Sequence, residues 1–314
     1  MNGCTVSDNR DIQIIMSTYN GAHYLREQLD SILNQKAYSR VKVLIRDDGS
    51  TDGTVSILKE YAEQYNFELL IGQNLGVTGS IRALLQASDD RCKYFSISDQ
   101  DDVWLPDKLT CALEHLEHES PELPLLFGSL SHVVDAKLHD LGSSVQPIKG
   151  VSYYNAMVQN VTAGHTQVFN RTLRNLLLLG DFENVHVVDW WIYLTASGLG
   201  KVIFADQFTV LHRQHGNNEV GCVTNPLQRT WKRLRSLREG KGNAITIQLQ
   251  AFYQQYGMRL PDDFQLETLR YLDCQDSIIR RIQYAMTCHA YRQETIENIL
   301  FKILYIMGKY QVKR

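Results

Sequence analysis

Over the first hundred positions, short dense apolar stretches alternate with longer ones in which apolar residues recur every three or four places. Residues 12–16, 41–45, 67–71 and 94–97 have the length and density of buried strands. Between them, Tyr24, Leu25, Leu29, Ile32 and Leu33 within 22–35, Val55, Leu58 and Ala62 within 54–65, and the stretch 80–87 keep helical spacing. Strands joined in this way by helices predict a largely parallel sheet wound by right-handed crossovers, with ligands bound at the carboxyl ends of its strands. A further helix is expected over 108–119, strands at 125–127, 133–134, 167–169, 202–204 and 208–211, and helices near 153–159 and 188–196. Past residue 223 the strand signal stops and helical periodicity is nearly continuous. The pattern thus reads as an α/β domain over 1–223, built on a mostly parallel central sheet flanked by helices, followed by a helical C-terminal region over 224–314.

Composition narrows the class without naming a chemistry. The 314 residues are 44% apolar, too many for a disordered chain, and their net charge of −3 gives no global basic field for nucleic acid. Only 6 Pro and 20 Gly favour long helices over a many-turned sandwich. The six cysteines are scattered with no C-x-x-C pair, which argues against zinc and a disulfide framework. No basic and apolar leader is read at the N-terminus, and no stretch approaches the roughly 18 unbroken apolar residues of a membrane span. A cytoplasmic chain with reduced thiols is expected.

Polar groups gather where the strands end. The first strand runs into Ser17-Thr18-Tyr19-Asn20, the second into Asp47-Asp48-Gly49-Ser50 and the fourth into Asp99-Gln100-Asp101-Asp102. Clustered carboxylates repel one another unless a cation lies between them, and a D-x-D spacing suits Mg²⁺ or Mn²⁺, which also takes diphosphate oxygens. The competing reading is an acidic turn capping the helix that begins near Pro106. Asp48 can accept the imide N–H of a uracil or thymine ring, while Gly49 to Asp52 also read as a turn and helix cap. In His212-Arg213-Gln214-His215-Gly216-Asn217-Asn218, His215 can complete a metal shell or join Arg213 in meeting diphosphate charge; a polar loop is the plainer alternative. Asp189, beside Trp190 and Trp191, sits where an apolar site would raise its pKa toward that of a general base, with indole faces for sugar rings; as plain structure it is an N-cap followed by core. Gly164, in Ala163-Gly164-His165-Thr166, either admits a substrate closely or makes a turn.

Taken together, Ser17-Thr18-Tyr19-Asn20, Asp47-Asp48-Gly49-Ser50, Asn74-Leu75-Gly76, Asp99-Gln100-Asp101-Asp102-Val103-Trp104, Asp189-Trp190-Trp191 and Arg213-Gln214-His215-Gly216-Asn217-Asn218 resemble, in order and rough spacing, the motifs of family 2 inverting glycosyltransferases. Within that family the Asp-Gln-Asp-Asp-Val-Trp and Arg-Gln-His-Gly-Asn-Asn forms are most similar to bacterial rhamnosyltransferases of cell-wall or capsular polysaccharide synthesis. The resemblance spans about residues 12–220 and implies a GT-A fold and a metal-dependent enzyme. It implies that Ser17, Thr18, Tyr19, Asn20, Asp48, Asp99 and Arg213 bind the nucleotide-sugar donor, that Asp101 and His215 hold Mg²⁺ or Mn²⁺, that Asp189 deprotonates the acceptor hydroxyl, and that Trp190, Trp191, Gly164 and Thr166 line the acceptor. Two departures bear on function. Val188 stands where much of the family has Glu before the base, and Gln228-Arg229-Thr230-Trp231 lacks the spacing of the processive members' Gln-x-x-Arg-Trp, so transfer of one sugar or a short run is expected.

The implied donor is dTDP- or UDP-linked, rhamnose from dTDP-rhamnose being the leading sugar. A UDP-hexose or N-acetylhexosamine donor and a silent nucleotide-sugar-binding scaffold are the alternatives. The implied acceptor is a saccharide, free or lipid-linked, and a homodimer is one expected assembly. A dinucleotide oxidoreductase needs a G-x-G-x-x-G turn after the first strand, and Ser17 to Gly21 supplies none. In the tail, Arg229, Lys232, Arg233, Arg235, Arg238 and Lys241 face a single acid, Glu239, and Ile299, Leu300, Ile303, Leu304, Ile306 and Met307 are mixed with Lys302, Lys309, Lys313 and Arg314. Solvated helices on the main domain, or peripheral contact with anionic lipid at the inner face of the cell membrane, both suit that mixture.

Overall fold

Alternating apolar positions in the first strands face two separate helical layers, and this fixes where the loops emerge. The computed structural model of the chain describes residues 10–215 and 241–312. Its elements run β1 (Ile12–Thr18), α1 (Leu25–Leu33), β2 (Val41–Asp47), α2 (Thr54–Tyr65), β3 (Glu68–Ile71), α3 (Gly76–Ala87), β4 (Tyr94–Ser98), β5 (Val103–Trp104) and α4 (Lys108–Leu116). They continue through β6 (Leu125–Val134), β7 (Asp140–Ser143), α5 (Tyr153–Ala156), β8 (Val168–Asn170), α6 (Arg171–Leu179), α7 (Val188–Leu199) and β9 (Lys201–Arg213). Ile12, Ile14 and Met16 pack with Leu25, Leu29 and Leu113 on one face of the sheet, whereas Ile15 joins Leu84, Leu177 and Trp191 on the other. Full burial of each such side chain contributes about 1.5–3 kcal/mol.

The strand order is β3-β2-β1-β4-β8-β6-β9-β5, with β7 attached to β6. The sheet is parallel through β3, β2, β1 and β4, then mixed: β8 is antiparallel to both β4 and β6, and β9 returns parallel to β6. The parallel half sends the loops after β1, β2 and β4 to one edge. Expected strands at 202–204 and 208–211 are one element, β9, because register shifts around Leu130 absorb the polar break at Asp206 and Gln207. Likewise 133–134 is the end of β6. The pattern did not announce β7, whose Asp140–Ser143 is an exposed edge without apolar alternation, nor the two-residue β5, nor α6, capped by Asn170 accepting the Leu173 N–H at 3.0 Å.

From residue 241 the described chain is helical: α8 (Ala244–Tyr256), α9 (Asp262–Asp273), α10 (Ile278–Thr287) and α11 (Thr295–Ile306). These helices share a core with α5 to α7. Trp191 packs against Phe252 and Tyr256 with ring centroids 5.7 and 6.1 Å away, and Tyr153 stacks on Phe264 at 4.6 Å. Gln248 Oε1 accepts the N–H groups of His186 and Val187, bracing the segment that leads into α7. The expected boundary at 223 and 224, the basic stretch 229–240 and Gly216-Asn217-Asn218 lie outside the described residues. Among the described residues no helix is long and apolar enough to cross a membrane, and Cys111, Cys274 and Cys288 are free thiols.

Candidate active site

Asp47 closes the turn after β2. Its carboxylate accepts from the N–H groups of Gly49 and Ser50 at 3.2 and 2.9 Å, from Ser50 Oγ at 2.6 Å and from Thr18 Oγ1 at 3.1 Å. Gly49 sits at φ +86°, a conformation that a side chain would strain. Asp48 then points elsewhere: it pairs with the Arg46 guanidinium and accepts the Leu75 N–H at 2.8 Å. Arg46 also donates to Gln73 O at 2.8 Å and to Ser80 Oγ at 3.1 Å, and Ser80 receives Ser17 Oγ at 2.6 Å. The buried Arg46 was not anticipated, although an arginine following the apolar Val43-Leu44-Ile45 in a strand buried along its whole length is the visible signal.

The other loops are stitched to this turn. The Tyr19 N–H donates to Gln100 Oε1 at 2.9 Å and Gln100 Nε2 donates back to Tyr19 O at 3.1 Å, so the loops after β1 and β4 clamp each other. A Cβ on Gly21 would fall 2.1 Å from that amide oxygen, so any side chain there would push the Gln100 amide out of the clamp. Asn20 receives the Thr51 N–H on its side chain at 2.8 Å and donates its own N–H to Ser50 Oγ at 2.9 Å. Tyr19 is exposed on this edge, whereas Thr18 is fully buried, its hydroxyl spent on Asp47. Thr18 therefore supports the donor edge from below instead of facing it.

Asp99 and Asp101 lie in different surroundings. Asp99 is half exposed. Asp101 lies 2.8 Å from Nε2 of His215, whose ring rests against Tyr24 with centroids 4.8 Å apart. Burial, then the charges of Asp102 and Asp99, push the Asp101 carboxyl up to about 6 against the opposing pull of His215. A carboxylate so short of positive partners, beside a ring nitrogen, fits a hard divalent cation that keeps positions for diphosphate oxygens. Arg213 does not join them as expected. Buried over the Tyr24 ring, its guanidinium donates to the carbonyls of Asp101 and Ala136 at 2.9 and 2.8 Å and pairs with Glu27, so it is a strut for the Asp101 loop.

Behind Asp101 lies a buried cluster that the spacing did not reveal. Asp102 Oδ1 is 3.0 Å from His212 Nδ1 and accepts the Arg213 N–H at 2.9 Å, while Oδ2 faces His165 Nδ1 at 3.8 Å. The two imidazoles stack at 4.2 Å. Burial pushes Asp102 up, but the His212 hydrogen bond and the neighbouring imidazole charges outweigh it and hold the carboxyl below its ordinary range. His212 moves the other way: burial lowers it, and Asp102 and the nearby carboxylates raise it more. Asp102, His165 and His212 bring three donor atoms within 4.8 Å of one another. Asp102 is fully buried and held by His212 and the Arg213 N–H, with His165 stacked on His212, so the three brace the acidic loop.

His165 belongs to a short 3-10 turn, Gly164–Thr166, and this turn seats Asp189, the candidate base. The Gly164 N–H donates to Asp189 Oδ2 at 2.9 Å, and the Trp190 N–H donates to Oδ1 at 2.7 Å. Asp189, in the first turn of α7, keeps a sliver of solvent access while protein surrounds its carboxylate. Burial raises its pKa to about 6 despite those two hydrogen bonds, and the charge on Asp99 adds to the rise. Three residues expected at the acceptor are placed otherwise. Trp191 is core, Thr166 is buried with its hydroxyl on Ala163 O, and Gly164 seats Asp189, its missing Cβ leaving 3.3 Å to the Cβ of the acid. Trp190 is half-buried, its indole N–H on Ala156 O at 2.6 Å.

This arrangement can bind a nucleoside diphosphate at the ends of β1, β2 and β4 and hold a base across from it. Residues 13–141 match the family model described as Glycosyl transferase family 2. Over 237 residues the chain is 26% identical to the dTDP-rhamnosyl transferase RfbG of Shigella flexneri, covering 71% of this chain and 79% of that one. Over 190 residues it is 26% identical to the UDP-Glc:alpha-D-GlcNAc-diphosphoundecaprenol beta-1,3-glucosyltransferase WfgD of Escherichia coli, covering 60% of this chain and 70% of that one. Its fold is similar to that of S. aureus TarS 1-349 in complex with UDP-GlcNAc, with a TM-score of 0.55 at 13% identity, covering 95% of this chain and 89% of that chain. The match over residues 13–141, these glycosyltransferase relatives and this sheet make the chain a glycosyltransferase of the GT-A fold that carries a family 2 domain.

Proposed function

We propose that the chain transfers a single sugar, with inversion, from a dTDP- or UDP-linked donor to a saccharide hydroxyl in cell-wall or capsular polysaccharide synthesis. One observation carries this reading: the turn Gly164–Thr166 joins the two halves of the site, Gly164 holding Asp189 while His165 packs against Asp99, Asp102 and His212. In it Asp189 takes the proton of the attacking hydroxyl as the acceptor oxygen bonds to the anomeric carbon and the bond to the diphosphate breaks. Asp101 and His215 would hold Mg²⁺ or Mn²⁺, which neutralises charge on the departing nucleoside diphosphate. Asp48 accepts the imide N–H of the pyrimidine, and exposed Tyr19 and Asn20 line the nucleotide with Asp99 near the ribose or sugar.

Similarity to RfbG supports rhamnose from dTDP-rhamnose. Similarity to WfgD supports the alternative, a UDP-hexose, and a lipid-linked saccharide as acceptor. With that acceptor, peripheral contact with anionic lipid on the cytoplasmic side follows, as a monomer or a homodimer. The test is a thermal-shift panel of dTDP-, UDP- and GDP-sugars with Mn²⁺ or Mg²⁺, because a ligand bound to the native state alone raises the melting temperature. Selective stabilisation by dTDP-rhamnose is expected. A response to UDP-sugars only selects the alternative donor, and no response to any pyrimidine nucleotide sinks the reading.

A further inference from the structure

Helices α10 and α11 pack against each other and are apolar on two sides. Their inner sides belong to the core: Tyr284 and Ala285 of α10, and Phe301, Leu304 and Tyr305 of α11, are buried. Their outer sides are not covered by the described chain. On α10, Ile279, Ile282 and Met286 repeat at spacings of three and four, with Ile279 66% and Met286 78% exposed. On α11, Ile296, Ile299 and Ile303 repeat identically, with Ile296 68% exposed, and Met307 extends the row. Each of two packed helices thus carries a row of bare isoleucine and methionine, more exposed apolar surface than a water-facing helix pair ordinarily keeps without a partner.

The charges around the rows identify that partner. No acid occurs on α10. Over residues 278–314 the only acids are Glu294 and Glu297, and Glu297 is buried against Arg292 at 3.6 Å. Arg280 is exposed but pairs with the exposed Asp276 at 2.9 Å, so the unopposed charge comes from exposed Lys309 and half-exposed Lys302, with Lys313 and Arg314 following in sequence. An apolar strip rimmed by cations fits an anionic bilayer surface, where side chains enter the headgroup and acyl boundary while Lys and Arg meet lipid phosphates. A second copy of the same face would instead bring like charges together.

We infer that the α10–α11 face seats the enzyme peripherally on anionic lipid. This deepens the reading of a lipid-linked acceptor and rests on it only for purpose, since attachment is measured without any sugar. The full chain is floated with vesicles of phosphatidylcholine alone or mixed with phosphatidylglycerol, at low salt. Co-flotation is expected with the phosphatidylglycerol vesicles only. The double variant Ile279→Glu/Ile299→Glu is expected to lose about tenfold in bound fraction, since two buried apolar contacts become charged; Leu179→Glu, equally exposed on α6, should change nothing. Lys302→Gln/Lys309→Gln, which leaves the apolar rows intact, should weaken binding severalfold and so decides the matter if the first variant melts early. Absence of wild-type flotation overturns the inference. So does equal flotation of both double variants, or a wild-type dimer that Ile279→Glu/Ile299→Glu makes monomeric without vesicle binding, which would assign the face to a second copy. Transfer to a soluble acceptor, measured on the same samples, reports separately on the glycosyltransferase chemistry.

Discussion

Asp189 shows what one residue type at one place can and cannot reveal. An acid beside two tryptophans already suggested a raised pKa, but both hydrogen bonds that seat it come from backbone N–H groups, and no side-chain pattern encodes those. Its pKa of about 6 against an ordinary 3.8 has two consequences. In activity, the base works only when ionised, so kcat/KM should fall as pH drops below about 6 and level off above it, with a pH–rate profile as the measurement. In stability the sign is opposite. The raised pKa means the fold favours neutral Asp189, a preference fully felt below pH 3.8 and lost as pH climbs through 6. Asp189→Asn removes the buried charge but keeps an oxygen for only one of the two backbone N–H groups, setting its NH2 against the other. It is therefore expected to lower turnover by roughly 10²–10⁴-fold while the melting temperature at pH 7.5 changes little, relief of the buried charge offsetting the lost hydrogen bond. Retained turnover, or marked destabilisation at that pH, contradicts this. Asp101 and His215 stood out as candidate donors because D-x-D and a histidine-rich loop are local patterns, whereas Arg46 and the Asp102 to His212 pairing did not, since each partner lies on a different strand or loop. Asp101→Asn should weaken Mn²⁺-dependent stabilisation of the nucleotide complex by more than about tenfold in Mn²⁺ affinity, read by thermal shift across a metal titration.

Elements, more than residues, decide which side chains face the site. Helical periodicity located α7 well, yet could not tell which of two adjacent tryptophans turns inward, and one residue along a helix is a rotation of about 100°. Trp191 is the inward one. Trp191→Ala is expected to cost about 3–5 kcal/mol of stability by urea or thermal denaturation, leaving the KM for acceptor unchanged wherever the variant is folded. The turn Gly164–Thr166 works in the reverse sense, since a small element with weak pattern carries a large effect. Gly164→Ala sets a methyl 3.3 Å from Asp189 Cβ and should lower kcat about tenfold by displacing the base, with little change in melting temperature. An unaltered kcat would show that the turn tolerates the methyl. The edge strand β7 and the short β5 were invisible for a plain reason: with two to four residues and one exposed face, period-two alternation has no length in which to appear.

At the scale of the whole molecule, the helical C-terminal region is tied to the α/β part by shared packing. Phe252, Tyr256, Leu260 and Tyr305 lie in the same buried cluster as Ile15 and Trp191. A chain ending at residue 240 would expose Trp191, Tyr153 and their neighbours and should aggregate or melt well below the full chain in a thermal scan; a soluble, active 1–240 would show that the two parts fold separately. By itself the sequence determined the rhythm of strands and helices, the edge at which the carboxylates gather and the family they belong to, because those rest on local spacing and on motifs a few residues long. Tertiary structure alone decided that Thr18, Arg213, Thr166 and Trp191 are supports, that a buried Asp102 to His212 ion pair backs the acidic loop, and that α10 and α11 keep a second apolar face outward. Each of these depends on burial and on partners tens to more than a hundred residues away, and the free energy of such contacts is set by which surfaces the folded chain brings together.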